Sequence, residues 1–365
     1  MYKINDLLNV MVEANASDLF ITLGAYPMLK IDGKILPLEK EKVIPDTVRN
    51  LQAEMLNEKQ QEAFLKNKEL DFTYSLPGVG RFRVNYFRQR NSVAFVVRRI
   101  ISKILTIEEL GLPSMVSQLS MEERGLVIVV GGTGSGKSTT LASMVDYCNS
   151  HKTAHILTLE DPIEFLHSHK KGIVNQREVG QDSASYTAAL RSALREAPTM
   201  LLIGEIRDKE SMSAAMNFAE TGHLVLTTLH ANNAYQTIER IMSFYSVNEH
   251  EMTRLQLSQN LKAVIAQRLV PAIDGKRVAA LEILLQTARV RDVIHRGDLD
   301  VLRHTIGSSK NEGMQLFDQH LFKLVMENII DEDVAIRCAD RPTDLSLKLR
   351  AEKPMTTTDD IHLEE

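Results

Sequence analysis

The sequence predicts an α/β domain built on a parallel sheet, preceded by a small α+β domain. From residue 116 onward, apolar strand-like runs alternate with helical patterns, which is typical of βαβ units. Before residue 100, short strands with alternating apolar and polar residues follow one another between turn residues. Residues 131–139, between an apolar run and a helical pattern, are rich in glycine, as phosphate-binding loops are.

Composition limits the classes of protein that the chain can belong to. Its 365 residues are enough for two or three domains, and 43 Lys and Arg against 48 Asp and Glu give a net charge of −5, which disfavours nucleic-acid binding. Cys148 and Cys338 form no C-x-x-C pair, so neither a zinc site nor a disulfide framework is predicted. The first residues carry no export signal, and no apolar run is long enough to span a bilayer. We therefore expect a cytosolic protein that meets a membrane only through a partner.

The first domain is predicted to span residues 1–99. Residues 3–14 have the spacing of an amphipathic helix, and residues 46–67 also have a helical pattern. Strands are predicted at residues 18–23, 28–31, 35–38, 71–76, 81–90 and 93–99. In the fifth of these, the alternate residues that should face the core are Phe82, Val84 and Tyr86. Two helices with short antiparallel strands form a small α+β domain.

Residues 100–115 are predicted to be a linker, and residues 116–349 the α/β domain. Its buried strands are predicted at Leu126–Val130, Ala154–Leu159, Met200–Ile203 and His223–Leu229. Beyond residue 250 the sequence has a mostly helical pattern, which includes Ala288–Ile294. Residues 350–365 are polar and are predicted to form a disordered tail.

The glycine-rich stretch fits the pattern G-x-x-x-x-G-K-[ST], in which glycines let successive backbone N–H groups converge on phosphate oxygens. It consists of Gly131, Gly132, Thr133, Gly134, Ser135, Gly136, Lys137, Ser138 and Thr139. Lys137 supplies a positive charge for the β- and γ-phosphates of a nucleotide, and the Ser138 hydroxyl is placed to bind Mg²⁺. The alternative is a glycine-rich turn with a surface lysine, which the strand before the loop and the helix after it disfavour. These residues therefore predict a nucleotide site.

Polar residues follow three further strands, and in an open parallel sheet they meet at the edge where ligands bind. Cleavage of a phosphoanhydride needs a metal ion, a residue that orients or deprotonates water, and a sensor of the γ-phosphate. We expect Glu205 to hold Mg²⁺ through its water shell, on a strand beside that of the phosphate loop. We expect Glu164 to polarise the attacking water and His230 to hydrogen-bond the γ-phosphate.

Each of these residues also has a structural interpretation. Glu164 follows Pro162 and is also typical of a solvated first turn of a helix, where acids are favoured. Glu205 would otherwise be a surface carboxylate, and His230 an ordinary loop histidine. His223 lies an odd number of residues before His230, so in a regular strand the two face opposite ways. A role of His223 in packing or at an interface is therefore an open alternative to a role in the site.

Arg83 and Arg98 lie on strands of the first domain and should point away from its core. As outward arginines they are typical of solvated strand charges. The functional alternative is that they reach the triphosphate of a neighbouring subunit in a ring, since positive charge supplied in trans assists phosphoryl transfer.

Four segments resemble motifs of the secretion ATPases. They are Gly131–Ser138, Thr158–Glu164, Leu202–Glu205 and Thr221–His230, called Walker A, the Asp box, Walker B and the His box in that family. More narrowly, Ala16–Leu19, Gly80–Asn85 and Asn175–Gly180 resemble the type IV pilus retraction ATPases of the PilT/PilU family. Phe87–Arg90 and Arg341–Leu345 are similar to its PilU branch.

The resemblance implies a RecA-like P-loop NTPase motor domain behind a PAS-like amino-terminal domain. It implies a homo-hexameric ring that hydrolyses ATP with Mg²⁺, binds no nucleic acid and does not itself insert into the membrane. Such a machine is cytoplasmic and peripheral to the inner membrane, where it depolymerises pili through a platform protein of the pilus base. The PilU branch also implies a partnership with a paralogous retraction ATPase.

Carried over position by position, the resemblance assigns phosphate binding to Lys137 and the general base to Glu164. It assigns Mg²⁺ to Glu205, and it has His223 and His230 complete the site; Arg83 and Arg98 match arginines of the family's first domain only loosely. The stretch Ala288–Ile294 only approximates the family's carboxy-terminal helix motif.

Three hypotheses follow: an ATP-hydrolysing hexameric motor, an accessory subunit that hydrolyses weakly beside a paralogous motor, and a nucleic-acid translocase on the same RecA-like fold. The acidic net charge and the lack of a stripe of basic and aromatic residues disfavour the third.

Overall fold

Two sheets organise the chain, one in each of two units. The structure is a computed structural model that describes residues 2–31, 33–38, 41–100, 103–309 and 313–352. The first unit comprises Met1–Lys103 and Glu164–Leu166, and the second comprises Ile104–Ile163 and His167–Glu365. The division at Lys103 lies inside the stretch predicted as a linker. In the described part of the chain, every helix is too short or too polar to cross a membrane.

The first unit is an antiparallel sheet with three helices. Its elements are α1 (Ile4–Glu13), β1 (Asp18–Thr22), β2 (Met28–Ile31), β3 (Lys34–Pro37), α2 (Pro45–Met55), α3 (Glu58–Asn67), β4 (Glu69–Leu76), β5 (Gly80–Gln89) and β6 (Ser92–Ile100). The six strands lie in the order β3-β2-β1-β6-β5-β4. The residues that alternate inward on β5 are fully buried, as predicted, and the Tyr86 ring stacks 4.5 Å from that of Phe95.

The helical pattern over residues 46–67 forms two helices rather than one. Asn57 begins α3 with a capping box, in which its side-chain oxygen accepts from the Gln60 N–H at 3.0 Å and its own N–H donates to the Gln60 side chain. Such a box satisfies N–H groups that the first turn leaves unpaired, so a new helix starts there.

The second unit is an α/β fold with a seven-stranded sheet. Its elements are α4 (Ser114–Ser120), β7 (Gly125–Val130), α5 (Lys137–His151), β8 (His155–Glu160), β9 (Ile173–Glu178), α6 (Tyr186–Ala193), β10 (Met200–Ile203), α7 (Lys209–Glu220), β11 (Leu224–Leu229), α8 (Ala234–Met242), α9 (His250–Asn260), β12 (Leu261–Pro271), β13 (Arg277–Leu285), α10 (Ala288–Arg296), α11 (Leu302–Ser308), α12 (Phe317–Met326), α13 (Glu332–Cys338) and α14 (Pro342–Glu352). The strand order is β13-β12-β7-β11-β10-β8-β9, in which only the β12–β13 pair is antiparallel. The four strands predicted from apolar runs are therefore parallel, and their carboxyl ends share one edge.

One prediction about this unit is wrong, and another leaves out two strands. Helices make up most of the regular structure beyond residue 250, as predicted, and α10 forms where Ala288–Ile294 predicts it, but β12 and β13 form a long hairpin that the helical pattern does not reveal. Both strands are nearly fully buried, and a continuous apolar run has no period that separates strand from helix. The strand that ends before Glu205 is not beside the phosphate-loop strand, because β11 lies between β7 and β10.

The last helix includes Arg350–Glu352, the first residues of the predicted tail. The remainder of that tail, residues 353–365, lies outside the described residues.

Candidate nucleotide site

The phosphate loop joins the carboxyl end of β7 to the first turn of α5. Gly136 precedes the helix with φ +88°, in the left-handed region that favours glycine. A Cβ atom on Gly131 would lie 2.3 Å from the carbonyl oxygen of Gln267, and one on Gly136 would lie 2.8 Å from the Gln267 side-chain nitrogen. The two glycines of the motif are therefore required by close contact with β12 as well as by the path of the backbone.

Gln267 packs against this loop, and the sequence did not identify it as a residue of the site. It is buried, and its side-chain oxygen accepts from the Thr140 hydroxyl at 2.8 Å. The available signal was a single amide within the apolar run Ala263–Val270, but the helical interpretation of that run concealed it.

Two polar groups of the loop are arranged for an anion. The Lys137 ammonium donates to the carbonyl oxygens of Gly131 and Gly132 at 2.8 and 3.0 Å, so it is folded over the loop. The Ser135 hydroxyl is buried and has no hydrogen-bond partner within the described chain. A buried polar atom without a partner is costly, and here it is consistent with a group that meets a ligand. Together with the start of α5, these groups fit a phosphate chain.

Glu205 and His230 are in direct contact at this edge of the sheet. The His230 Nε2 atom is 2.7 Å from one Glu205 carboxylate oxygen, and Arg207 Nε donates to the other at 2.7 Å. The Glu205 side chain is only 17% exposed. His230 also lines, with Gly131 and Gly132, a cavity of about 560 Å³ that extends along α8. The structure thus brings His230 and Glu205 beside the phosphate loop.

Arg207 and Tyr186 are further polar residues near this pair that the sequence interpretation did not assign. Arg207 reaches from Glu205 towards Asp161, whose carboxylate is 3.7 Å away. The Tyr186 hydroxyl lies close to Gly204, and burial, with the negative charge of Asp161, raises the pKa of Tyr186. The phenol is therefore a protonated donor among carboxylates.

Two predicted residues are not brought to the loop in this way. His223 precedes β11 at its amino end, whereas His230 follows its carboxyl end. The His223 ring contacts Phe218 edge-on, and its Nδ1 is 3.0 Å from the Phe218 carbonyl oxygen. Glu164 is exposed and belongs to the short segment grouped with the first unit. The catalytic roles of His223 and Glu164 stay predictions.

Arg83 and Arg98 are directly opposite each other on β5 and β6. Like charges in directly opposed positions destabilise a sheet. The Arg98 Nε atom is 2.8 Å from the buried Asp18 carboxylate, whereas Arg83 approaches Asp71 only to 4.0 Å. Arg98 therefore has a structural partner, and Arg83 is the more loosely held of the two.

A second cavity, of about 810 Å³, lies on the other side of the phosphate loop. Gly136, Thr139 and Thr140 form one wall, Gln267 and Leu269 another, and the β12–β13 turn and Asn328 much of the rest. Its volume is within the range of pockets that hold small ligands, about 300–1,000 Å³. A nucleotide with its phosphates on the loop has room there for its nucleoside.

A phosphate loop between a buried parallel strand and a helix, with a carboxylate and a histidine from neighbouring strand ends, defines a RecA-like P-loop NTPase. Residues 4–298 match the family of type II/IV secretion system proteins. The chain is 47% identical to the type IV pilus ATPase PilU of Pseudomonas aeruginosa, over 94% of this chain and 90% of that protein. It is 43% identical to the type IV pilus retraction ATPase PilT of the same organism, over 93% and 98% of the two chains. The chain therefore belongs to the PilT/PilU family of type IV pilus ATPases.

A solved structure agrees with this assignment. The crystal structure of the pilus retraction motor PilT with bound ADP superposes with a TM-score of 0.89 at 41% identity, covering 95% of this chain and 100% of that one. The predicted fold class and family are confirmed. The higher identity to PilU than to PilT agrees with the PilU-like runs noted in the sequence.

Proposed function

We propose that this ATPase is a homo-hexameric, Mg²⁺-dependent motor that powers type IV pilus retraction. The observation that supports it most directly is the juxtaposition of an anion-binding loop with the Glu205–His230 pair, within a chain of the PilT/PilU family. On this proposal the motor is cytoplasmic and works at the inner membrane through the platform protein of the pilus base.

The site contains oxygen groups that suit Mg²⁺. Ser138 is half-buried in the first turn of α5, and Glu205 follows β10 after Gly204. No cluster of three or more His, Cys, Asp or Glu that would hold a metal is found among the described residues. That composition fits an ion bound by a hydroxyl, phosphate oxygens and water rather than by a protein cage, which is how Mg²⁺ is commonly bound. The bound ion supplies charge neutralisation at the β- and γ-phosphates.

The protein groups have separate tasks in this proposal. Lys137 leaves its two loop carbonyls to hold the phosphates. Glu205 would hold the water shell of a bound Mg²⁺, and Arg207 and His230 orient the Glu205 carboxylate. His230 stays at hydrogen-bond distance from Glu205. It also donates a hydrogen bond to the γ-phosphate. Glu164 accepts the proton of the attacking water as general base.

Steady-state ATP hydrolysis by Lys137→Ala and Glu205→Ala tests the proposal. We expect each change to lower kcat/KM by at least about 100-fold, since each removes charge stabilisation of the transferred phosphoryl group. Lys323→Ala, an exposed lysine of α12, is the matched control and should hydrolyse ATP as the parent does. Full hydrolysis by both site variants would refute the proposal.

An accessory role is the second candidate, because the identity to PilU is higher than that to PilT. In that case the chain contributes little hydrolysis and works beside a paralogous motor. Cells carrying Lys137→Ala would then retain retraction, whereas cells lacking the gene would lose it. Loss of retraction in both would favour the motor itself.

A nucleic-acid translocase is disfavoured by the net charge of −5 and by the family assignment. Hydrolysis stimulated by single-stranded DNA, with a steep dependence on salt, would support it.

A further inference from the structure

The segment Asn175–Gly180 has no task in the mechanism above. It includes most of β9, the edge strand of the second sheet. Alternate residues of a strand face the same side, so Gln176 and Glu178 share one face, and Asn175 and Arg177 the other. The first pair is directed at the loop that follows β8.

Gln176 holds the middle of that loop, at His167. Its side-chain oxygen accepts from the His167 N–H at 2.8 Å, and its side-chain nitrogen donates to a Glu160 carboxylate oxygen at 3.2 Å. The same oxygen of Glu160 accepts from the Thr158 hydroxyl at 2.6 Å. One amide therefore ties His167, in the middle of the loop, to Glu160, where β8 ends.

Glu178 holds the near end. Its carboxylate is buried, at 4% exposure, and accepts from the Ile163 N–H at 3.3 Å and from the Gln181 side chain. The Glu178 N–H in turn donates to Asp182 at 2.8 Å. A carboxylate buried at this depth is uncommon unless it accepts several hydrogen bonds.

We propose that Gln176 and Glu178 are positioning residues that fix both ends of the segment 163–167 and thereby set the position of Glu164. The inference rests on the proposed role of Glu164 as general base. Both pinned N–H groups belong to backbone on either side of that residue, at Ile163 and His167. A short segment fixed at both ends has few conformations, and a general base must lie within hydrogen-bond reach of the water that it deprotonates.

The test compares Gln176→Ala and Glu178→Ala in the full chain, with kcat for ATP and the dissociation constant of ADP measured separately. We expect kcat to fall at least about tenfold while the dissociation constant of ADP changes less than about twofold. The reason is that Gln176 and Glu178 position Glu164 and not the phosphate loop. Glu178→Gln, which keeps an acceptor oxygen of the same reach, should lose less than Glu178→Ala. Asn175→Ala, on the opposite and exposed side of β9, is the matched control and should keep the parental kcat.

Combination with Glu164→Ala separates positioning from a structural role. If the two residues act through Glu164, Gln176→Ala should lower the residual turnover of Glu164→Ala by less than about twofold, because the residue that it positions is absent. A further tenfold loss in the double variant, or a matching loss of ADP affinity in the single variants, would overturn the inference. An unchanged kcat in Gln176→Ala and Glu178→Ala, together with an inactive Glu164→Ala, would also overturn the inference. Full activity of Glu164→Ala would instead identify a failure of the proposed role of Glu164.

Discussion

At the scale of single residues, the Glu205 carboxylate has a partner on each of its two oxygens. One carboxylate oxygen contacts His230 and the other accepts from Arg207, each at 2.7 Å. A charge-assisted hydrogen bond such as that from the Arg207 guanidinium is stronger than a neutral one. The orientation of Glu205 is therefore determined by two groups, Arg207 and His230, that lie at the same edge of the sheet.

Glu164→Ala should leave nucleotide binding intact and abolish most hydrolysis. The expected loss in kcat is about 10²–10⁴-fold, the range that a general base contributes. Fluorescence titration with a nucleotide analogue and single-turnover hydrolysis measure the two effects separately. Weakened binding with residual turnover intact would mean that Glu164 is a structural residue.

Gly131→Ala should impair folding and nucleotide binding, whereas Gly132→Ala should be tolerated. At Gly131, φ is +146° and a Cβ would lie 2.3 Å from a backbone oxygen, which cannot move away as a side chain can. At Gly132 no atom lies within 4 Å of the added carbon. We expect Gly131→Ala to lower the free energy of unfolding by about 1–3 kcal/mol and Gly132→Ala by less than about 0.5 kcal/mol. Urea unfolding and ADP titration check both; equal effects of the two changes would contradict the prediction.

At the scale of elements, the hairpin of β12 and β13 contacts both the phosphate loop and the start of α8. Gln267 of β12 packs under the phosphate loop. Glu282 of β13 is buried and accepts from the Ala234 N–H at 2.9 Å, at the first residue of the helix that follows His230. The strands that contribute no proposed catalytic residue therefore fix the two loops that do.

The burial of Glu282 should make stability fall as pH rises. Burial raises the pKa of Glu282 to about 7, with the charge of Asp340 adding to the effect and the Ala234 hydrogen bond, Arg303 and Arg268 opposing it. Between the ordinary value of 4.5 and about 7, the unfolded chain releases a proton that the folded chain keeps. The stability that the protonated Glu282 contributes is therefore fully present below pH 4.5, and it is lost as the pH rises through about 7.

Glu282→Gln removes this titration and keeps an acceptor for Ala234. We expect the difference in free energy of unfolding between this variant and the parent to shift in favour of the variant by on the order of 3 kcal/mol from about pH 4.5 to about pH 8. Urea unfolding at a series of pH values measures it. A difference that stays constant with pH would show that Glu282 does not titrate in this window.

The part of the site that could be predicted from sequence is the part carried by local pattern. Each of the strands β7, β10 and β11 is a short apolar run that leads into the phosphate loop or into polar residues. Because these strands are parallel, the segments that follow them lie at one edge of the sheet. Gln267 and Glu282 could not be found in this way, because a polar side chain in a buried strand has meaning only through the element opposite it. The order of strands was also beyond local pattern, which is why the place of β10 was predicted wrongly.

At the scale of the whole molecule, the paired arginines of the first unit have no evident structural reason to be directly opposed. Asp18 balances Arg98, but Arg83 adds a second positive charge beside it at a distance of 4.0 Å from Asp71. A ring of identical subunits has heterologous contacts, in which a surface of one copy meets a different surface of the next. In the proposed hexamer we therefore expect Arg83 to contact the phosphates of a neighbouring subunit, which it could not do in a single subunit.

Subunit mixing tests this task. Arg83→Ala should lower kcat, because its own site still binds ATP but the arginine offered to the neighbour is missing; Arg49→Ala, an exposed arginine on α2, should not. Arg83 is preferred to Arg98, since removal of Arg98 leaves the Asp18 carboxylate buried without its cation. Lys137→Ala has the opposite defect, a lost phosphate contact beside an intact Arg83.

Co-assembly of Arg83→Ala with Lys137→Ala at equal amounts should raise hydrolysis above that of either variant alone. In a randomly mixed ring, about a quarter of the interfaces join an intact phosphate loop to an intact arginine, so we expect a rate approaching a quarter of the parental one if the interfaces work independently. Co-purification of two different affinity tags checks that mixed rings form. Mixed rings that stay as inactive as the separate variants would mean that Arg83 acts on its own subunit or on the fold, and charge from a neighbour would then have to come from another residue.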